Sequence, residues 1–243
     1  HEWNRSYGGL TGRGDASAWV RKRFGDAENI SAQRTNLWCS PVWKAHGTDH
    51  QAELGWWGME LAKNLVESQK IPICVINAAV GGTRIDEHQQ NEDKHTDLST
   101  MYGRMLWRVE NARLPHGIRA ILWHQGENDQ GAAGPDGGYG WESYERYFVN
   151  MSAAWKRDFP NVQRYYVYQI FPNACSMGNG NGDMLREVQR TLPRLYSNMD
   201  IISTLGIEPP GGCHFPLDGW EKFADRVQPL IARDFYGAEV EDP

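Results

Sequence analysis

The stretch that decides the fold is IRAILWHQGEND, residues 118–129. Its first six residues form a nearly continuous apolar run, which is typical of a parallel strand buried on both faces. The polar residues that follow place amides, carboxylates and a glycine directly after that strand. Because ligands of a doubly wound sheet bind outside the carboxyl ends of its strands, this stretch predicts both a parallel sheet and a functional edge.

Helix and strand patterns alternate on both sides of this stretch. Apolar residues at helical spacing predict helices over residues 49–69, 98–114, 142–159, 184–196 and 218–235. Thr48 or Asp49 can cap the first of these helices. Apolar runs of strand length predict further strands over residues 71–76, 165–170 and 200–204. The alternation predicts a three-layer α/β sandwich with a central parallel sheet, in which four strands are visible.

Length and composition favour one globular domain over residues 1–243. In residues 1–45 apolar side chains are scattered among Gly, Arg, Ser and Asn, so we expect irregular structure there. The net charge of -6, with no basic run longer than residues 21–23, argues against a nucleic-acid partner. No apolar stretch approaches the ~20 residues of a membrane span, so no membrane association is expected. Because residue 1 is His rather than Met, we expect that an upstream segment was removed or left out.

Cysteine and histidine spacing argues against a metal site. The four cysteines form no CxxC pair, so neither a zinc site nor a thioredoxin-like motif is expected. Cys74 lies in an apolar run, which predicts a buried free thiol. Cys175 and Cys213 both lie in loop-like, Gly-rich surroundings, where a disulfide can form if the protein is exported. His46 and His50 are four residues apart but lack a third ligand in fixed relation, so we expect no metal and no cofactor.

Three segments at predicted strand ends carry groups suited to acyl transfer. The Gly81-Gly82-Thr83 turn leaves backbone N–H groups unobstructed by a Cβ, as an oxyanion donor requires. In the turn 126–129, Asn128 can donate to an oxyanion, and Glu127 can orient an imidazole. Taken singly, these segments also fit a tight turn and an Asx turn with a cap.

His214 lies in a Gly-rich loop between the last predicted strand and the last helix. A single loop histidine is often only structural or solvated. Beside the two turns at equivalent strand ends, it becomes a candidate general base that deprotonates a hydroxyl and then protonates the leaving group. The combination is much more specific than its parts.

These motifs resemble those of a known family. Residues 123–129, WHQGEND, resemble the third conserved block of the SGNH hydrolases, in the branch that includes sialate O-acetylesterases and acetyl xylan esterases. Residues 76–85, INAAVGGTRI, are similar to the second block, and residues 54–61, LGWWGMEL, to the helix before it. Residues 213–216, CHFP, resemble the last block. The resemblance covers residues 37–236.

The resemblance implies a flavodoxin-like sandwich and metal-free hydrolysis of acetyl esters on carbohydrates such as xylan or sialic acid. It assigns His214 as the base, and it makes the Gly82 N–H and the Asn128 side chain oxyanion donors. It further implies that Glu127 is the acid partner of the histidine and that Gln125 lines the oxyanion hole. An acetylated carbohydrate is then the partner, and a secreted or periplasmic location is expected.

Two departures from the family pattern concern the catalytic groups. Gly211 stands where many relatives have an Asp, so the acid role falls to Glu127, to Glu208 or to no residue. The family's Gly-Gln-Ser-Asn block, which carries the nucleophile after the first strand, is not found in this sequence. Ser6 is the nearest serine by position but lacks a preceding strand, and Ser40 follows only a short apolar stub. The nucleophile is therefore not identified, and a sugar-binding domain without catalysis is the alternative function.

The missing first strand also affects the sheet. In the flavodoxin-like order this strand is central, so its absence leaves strands 71–76 and 118–123 separated by about two strand spacings, ~10 Å. Buried unpaired backbone groups are costly. We therefore expect that a strand from residues 1–45 lies in the centre, that the two strands pair directly, or that another segment fills the gap.

Overall fold

The computed structural model describes residues 7–10, 40–42, 51–130, 139–176, 181–207 and 214–239. The strands are β1 (Tyr7–Leu10), β2 (Ser40–Val42), β3 (Gln51–Glu53), β4 (Ile73–Ile76), β5 (Ala120–His124), β6 (Arg164–Tyr168) and β7 (Met199–Ile202). The α-helices are α1 (Trp56–Gln69), α2 (Met101–Asn111), α3 (Trp141–Asp158), α4 (Gly182–Thr191) and α5 (Leu217–Tyr236). Short 3₁₀ helices span Ile85–His88, Ala174–Ser176 and Leu192–Leu195.

All strand pairs in the described residues are parallel. Strands β5, β6 and β7 form one sheet with β6 in the middle, in a register that aligns Trp123 with Val167 and Val167 with Ile201. Strand β1 pairs with β4, aligning Leu10 with Ile76, and β2 pairs with β3. The parallel pairing places the carboxyl ends of β5, β6 and β7 at one edge, as the sequence predicts.

Helices cover both faces of the sheet, because the side chains of each strand alternate between two apolar layers. On one face Tyr165 and Val167 of β6 pack with α2, α3 and α4. On the other face Tyr166 and Tyr168 pack with α1 and α5. The predicted three-layer α/β class is confirmed.

Several predicted boundaries differ from the structure. Helix α1 begins at Trp56 rather than near residue 49, because residues 51–53 pair with β2 and Gly55 has a φ of 71°, outside the helical region. Its N-cap residue is Gly55, so the cap predicted at residue 48 or 49 is wrong. Two short strands, β1 and β2, lie in the segment expected to be irregular. The helix predicted over residues 184–196 is shorter, because α4 ends at Thr191 and a 3₁₀ turn that contains Pro193 follows.

The cysteines follow the prediction only in part. Cys175 is disulfide-bonded, as its loop surroundings allowed; its proposed partner Cys213 lies outside the described residues. Cys74 is a free thiol, but its side chain is exposed rather than buried. The surrounding apolar groups still desolvate it enough to raise the pKa of the thiol to about 11.

The expected filling of the gap is not seen in the described residues. A cavity of about 830 Å³ lies between β4 and β5 and is lined by every residue of both strands. The two strands do not pair with each other, and β1 adds to β4 rather than to β5. Cys74 is exposed because it lines this cavity.

Candidate active site

The turn after β4 contains two glycines, Gly81 and Gly82, that leave its backbone uncovered. Gly82 has a φ of 72°, which favours glycine, and a Cβ added to Gly81 would meet no atom within 4 Å. Both glycines are exposed. The Thr83 hydroxyl donates to the Val80 carbonyl at 2.7 Å and closes the turn. The backbone of this turn is therefore accessible at the surface, as an oxyanion donor requires.

A buried histidine supports this turn from behind. His88 Nε2 lies 2.7 Å from the Thr83 hydroxyl oxygen. Because that hydroxyl gives its hydrogen to the Val80 carbonyl, which can only accept, Nε2 carries the proton and donates. Burial lowers the pKa of His88 to about 4, so the imidazole is neutral near pH 7.

The turn after β5 depends on Gly126. Its φ is 146°, and a Cβ at this position would come within 3.0 Å of Gln189 Nε2 and of Ile170 Cγ2. The Tyr144 hydroxyl donates to the Gln125 carbonyl at 2.9 Å, and Gln189 Nε2 donates to the same oxygen at 3.0 Å. Helices α3 and α4 thereby fix the direction in which the chain leaves the strand.

Asp129 joins the two turns. Its carboxylate accepts from the Ile85 backbone N–H at 3.1 Å and from Gln125 Nε2 at 2.6 Å. Gln125 Nε2 also donates to the Thr83 carbonyl at 2.9 Å. Asp129 is fully buried, and this burial raises the pKa of its carboxyl to about 7 despite the donated hydrogen bonds. The segments after β4 and β5 are thus one hydrogen-bonded unit.

The segment before α5 reaches the same edge through aromatic packing. The ring of Phe215 lies 6.2 Å from the ring of His124, the last residue of β5. Phe223 of α5 lies 5.0 Å from the same imidazole. His214 is next to Phe215 and is exposed. Three strand-end segments therefore converge, as the sequence predicts for this edge.

The predicted site residues differ in the hydrogen bonds and ion pairs that their side chains make. Asn128 is half-buried and makes no side-chain hydrogen bond to the described residues, so its amide is available to a ligand. Gln125 uses both amide hydrogens, one on Thr83 and one on Asp129, and therefore positions the turns in this arrangement. Glu127 Oε1 lies 3.3 Å from Nε2 of His124, which makes His124 its partner in the described part of the chain. His214 makes no side-chain hydrogen bond or ion pair within that part.

Burial lowers the pKa of His124, and the nearby Glu127 carboxylate raises it in partial compensation. The two residues form a pair beside the turn that carries Asn128. Ser6, Glu208 and Gly211 lie outside the described residues. The strand that the structure describes after Ser6 is β1, and Thr11, not a serine, follows its carboxyl end.

Sequence reasoning missed the role of Asp129. The residue stands inside the quoted motif, but its sequence gives no sign that its carboxylate would hold the backbone of Ile85, 44 residues away. Gln189 and Tyr144 were missed for the same reason, because a helix pattern marks Tyr144 only as an apolar position. Such residues are recognised only in the folded structure, where their polar side chains are buried and their hydrogen-bond partners are visible.

Two further properties concern metal ions and membranes. The described residues contain no group of three or more His, Cys, Asp or Glu side chains arranged to hold a metal ion. None of the helices in the described ranges is both long and apolar enough to cross a membrane.

Comparison with known proteins identifies similar chains. The family model described as carbohydrate esterase, sialic acid-specific acetylesterase, matches residues 10–228. A curated Arabidopsis thaliana protein named "Probable carbohydrate esterase" is 30% identical over 146 residues, which are 60% of this chain and 49% of that protein. The match thus spans about half the length of that relative.

Two solved structures share the fold. An Arabidopsis thaliana protein of the same locus superposes with a TM-score of 0.61 at 23% identity, covering 82% of this chain and 78% of that one. A structure described as a novel carbohydrate acetylesterase from Xanthomonas citri superposes with a TM-score of 0.61 at 18% identity, covering 80% of this chain and 43% of that one. At these identities the likeness supports the fold.

Proposed function

Because the chain belongs to the family of sialic acid-specific carbohydrate acetylesterases, we propose that it is a serine-type O-acetylesterase that removes acetyl groups from carbohydrates. The observation that carries the proposal is the hydrogen-bonded unit of the turns after β4 and β5, with the His214 segment packed beside it. This unit presents the exposed Gly82 turn and the free amide of Asn128 at one edge.

The proposed reaction is acyl transfer. A serine hydroxyl attacks the acetyl carbonyl while His214 accepts its proton, and the oxyanion binds the Gly82 N–H and the Asn128 amide. His214 then protonates the sugar oxygen as it leaves, and water releases acetate by the same route. Glu127 contributes through its charge beside His124, and Asp129 and Gln125 position the turns. Xylan and sialic acid derivatives are the acetylated substrates of this proposal.

Hydrolysis of 4-nitrophenyl acetate, acetylated xylan and 9-O-acetylated sialic acid by the full-length protein tests the activity. We expect His214→Ala to lower kcat by about 10²–10⁴-fold and Asn128→Ala by about 10²–10³-fold. His116→Ala is the matched control, because His116 is also exposed but precedes β5, at the opposite edge of the sheet. Equal rates in the wild type and in a folded His214→Ala variant would refute the proposal.

The nucleophile is a separate question with its own experiment. Treatment with a serine-directed organophosphonate, followed by intact mass and peptide mapping, identifies the labelled serine. The alternative function is a sugar-binding domain without catalysis, and it is favoured by the eleven Trp of the sequence and by the lack of a Gly-Gln-Ser-Asn block within residues 1–243. Sugar binding without labelling supports that alternative, whereas labelling of one serine excludes it.

We also propose that the protein is exported to an oxidising compartment, either secreted or in the periplasm. Cys175 is disulfide-bonded, and disulfides persist mainly in secreted and periplasmic proteins. Intact mass of the protein purified from its native source, before and after reduction and alkylation, tests this. A fully reduced Cys175 in that material would contradict an exported location.

A further inference from the structure

Arg84 is a charged side chain at the strand-end edge that the proposed chemistry does not use. It stands two residues after Gly82, and its backbone N–H donates to Glu87 Oε2 at 2.9 Å. Its neighbours in the chain, Thr83 and Ile85, both make hydrogen bonds to the buried network that joins the two turns. The position of the Arg84 backbone relative to the Gly82 turn is therefore set by hydrogen bonds within the protein.

Two contacts orient the Arg84 guanidinium. Its Nε and Nη2 atoms donate to the two carboxylate oxygens of Asp86 at 2.8 and 2.9 Å, which is the fork geometry of a strong arginine–carboxylate pair. Its Cζ atom lies 4.1 Å from the centre of the Tyr139 ring, within the range of a cation–π contact. Arg84 is thus held by one polar and one aromatic neighbour, while 26% of its side chain is exposed.

This arrangement leaves hydrogen-bond donors of Arg84 for a ligand. A guanidinium carries five N–H donors, and the Asp86 pair uses one on Nε and one on Nη2. The other N–H groups make no hydrogen bond to the described residues. The Tyr139 side chain beside them is 38% exposed. The two residues therefore offer N–H donors and a flat ring side by side, which suits the hydroxyl groups and the apolar ring face of a sugar.

The charges around Arg84 distinguish between classes of sugar. The hydrogen bonds to Asp86 raise the pKa of Arg84, so the guanidinium stays charged and Asp86 compensates that charge. The Glu87 carboxylate adds a second negative group close to Arg84. Because one cation faces two carboxylates, a sugar that carries its own carboxylate gains little here. The hydroxyl groups of a neutral pyranose need only the free donors.

We propose that Arg84 and Tyr139 form a sugar-binding subsite beside the Gly82 turn, and that this subsite selects neutral acetylated pyranosides over anionic sugars such as sialic acid. The Tyr139 ring packs against the sugar face, and the free N–H groups of Arg84 donate to sugar oxygens. Asp86 orients the guanidinium and compensates its charge. The inference rests on the proposed function for the acetyl group, and it narrows the substrates of that function to neutral glycans such as acetylated xylan.

NMR titration of the full-length protein with two matched ligands measures the selection. Methyl β-D-glucopyranoside is neutral, and methyl β-D-glucuronide differs from it by one carboxylate. We expect the wild type to bind the glucoside more tightly, and Arg84→Ala to weaken glucoside binding about 3–10-fold, the loss expected for one hydrogen bond. Arg146→Ala is the matched control, because Arg146 also lies over a tyrosine ring, that of Tyr147 at 4.8 Å, but on the exposed surface of α3.

Asp86→Asn separates this role of Arg84 from a purely structural one. The amide oxygen can still accept from Arg84, but the charge of the guanidinium is no longer compensated. We expect the variant to bind the glucuronide about 3–10-fold more tightly than the wild type does, and this gain to disappear in about 1 M NaCl. Binding of the glucoside should change much less.

Tighter or equal binding of the glucuronide by the wild type overturns the proposal. Unchanged glucoside binding in a folded Arg84→Ala variant, no gain in Asp86→Asn, or no saturable glucoside binding by the wild type overturns it as well. If Arg84→Ala does not fold, the Asp86→Asn result decides. Because these measurements do not depend on hydrolysis, the predicted binding in a protein that cleaves no acetyl ester would count against the esterase proposal alone.

Discussion

The side-chain amide of Gln125 donates to the backbone carbonyl of Thr83 at 2.9 Å, which ties the turn after β5 to the turn after β4. The same nitrogen donates to the Asp129 carboxylate, which in turn accepts from the Ile85 N–H. The distance between the Gly82 turn and Asn128 is therefore set by a buried network rather than by the loops themselves. Removing one member of a buried network is costly, because its partners are then left without hydrogen bonds.

Because of Asp129, the free energy of unfolding should fall as pH rises, which is the opposite of the effect of most carboxyl groups in folded proteins. Burial raises its pKa to about 7 in the folded state, whereas an unfolded Asp titrates near 4. The folded protein therefore holds one more proton between these values, and Asp129 reduces stability as pH rises from about 4 to about 7. His88, with its pKa lowered to about 4, has the opposite effect below about pH 6.5, so the comparison must isolate Asp129.

We expect the free energy of unfolding of the wild type, relative to Asp129→Asn, to fall by up to about 4 kcal/mol over that range. Urea denaturation of both proteins at half-unit pH steps measures it. Asp183→Asn is the control, because Asp183 is exposed. If the difference in unfolding free energy between the wild type and Asp129→Asn does not change with pH, the pKa of the Asp129 carboxyl is the same in the folded and unfolded states.

Gly126 is required for the turn after β5. In Gly126→Ala the new methyl would contact Gln189 and Ile170 at 3.0 Å, and the residue would keep a φ of 146°. Strain and overpacking together predict a loss of about 2–4 kcal/mol in unfolding free energy. Gly81→Ala is the matched control, because no atom lies within 4 Å of its Cβ position. Chemical denaturation compares the two, and equal stabilities would contradict this account.

The Glu127 carboxylate 3.3 Å from His124 raises the pKa of an imidazole that burial lowers. Glu127→Gln removes the negative charge, so the pKa of His124 should fall further. NMR titration of the His124 ring protons measures the change. Glu142→Gln, at an exposed position in the first turn of α3, serves as control. A His124 pKa that stays the same or rises in Glu127→Gln would exclude the pairing.

Tyr139 is a candidate sugar contact beside the Gly82 turn. Its ring is 38% exposed and lies under the Arg84 guanidinium at 4.1 Å, and Asp86 holds that guanidinium at 2.8 Å. Flat aromatic faces suit sugar rings. If the chain is an esterase, Tyr139→Ala should raise KM for acetylated xylo-oligosaccharides about 3–10-fold, the loss expected for a contact of ~1 kcal/mol, and leave 4-nitrophenyl acetate unaffected. Tyr236→Ala, equally exposed at the end of α5, should change neither KM.

Much of the fold follows from the sequence alone. The apolar runs of β5 and β6 and the spacing of α2, α3 and α5 place these elements within a few residues of their observed bounds. Parallel order follows from the alternation, because a crossover helix between strands leaves little other choice. The strand-end position of Gly82, Asn128 and His214 also follows, since the carboxyl ends of parallel strands share one edge.

Only the tertiary structure shows how these groups are held. The Asp129 carboxylate finds the Ile85 N–H, and Glu127 pairs with His124, through contacts that local sequence patterns do not encode. Long-range partners depend on how layers pack, whereas periodicity reports only which face of an element is apolar. For the same reason the sequence makes β4 and β5 interior strands, and only the assembled sheet reveals the cavity between them. Apolar composition specifies burial, but the partner that supplies it is fixed by three-dimensional packing.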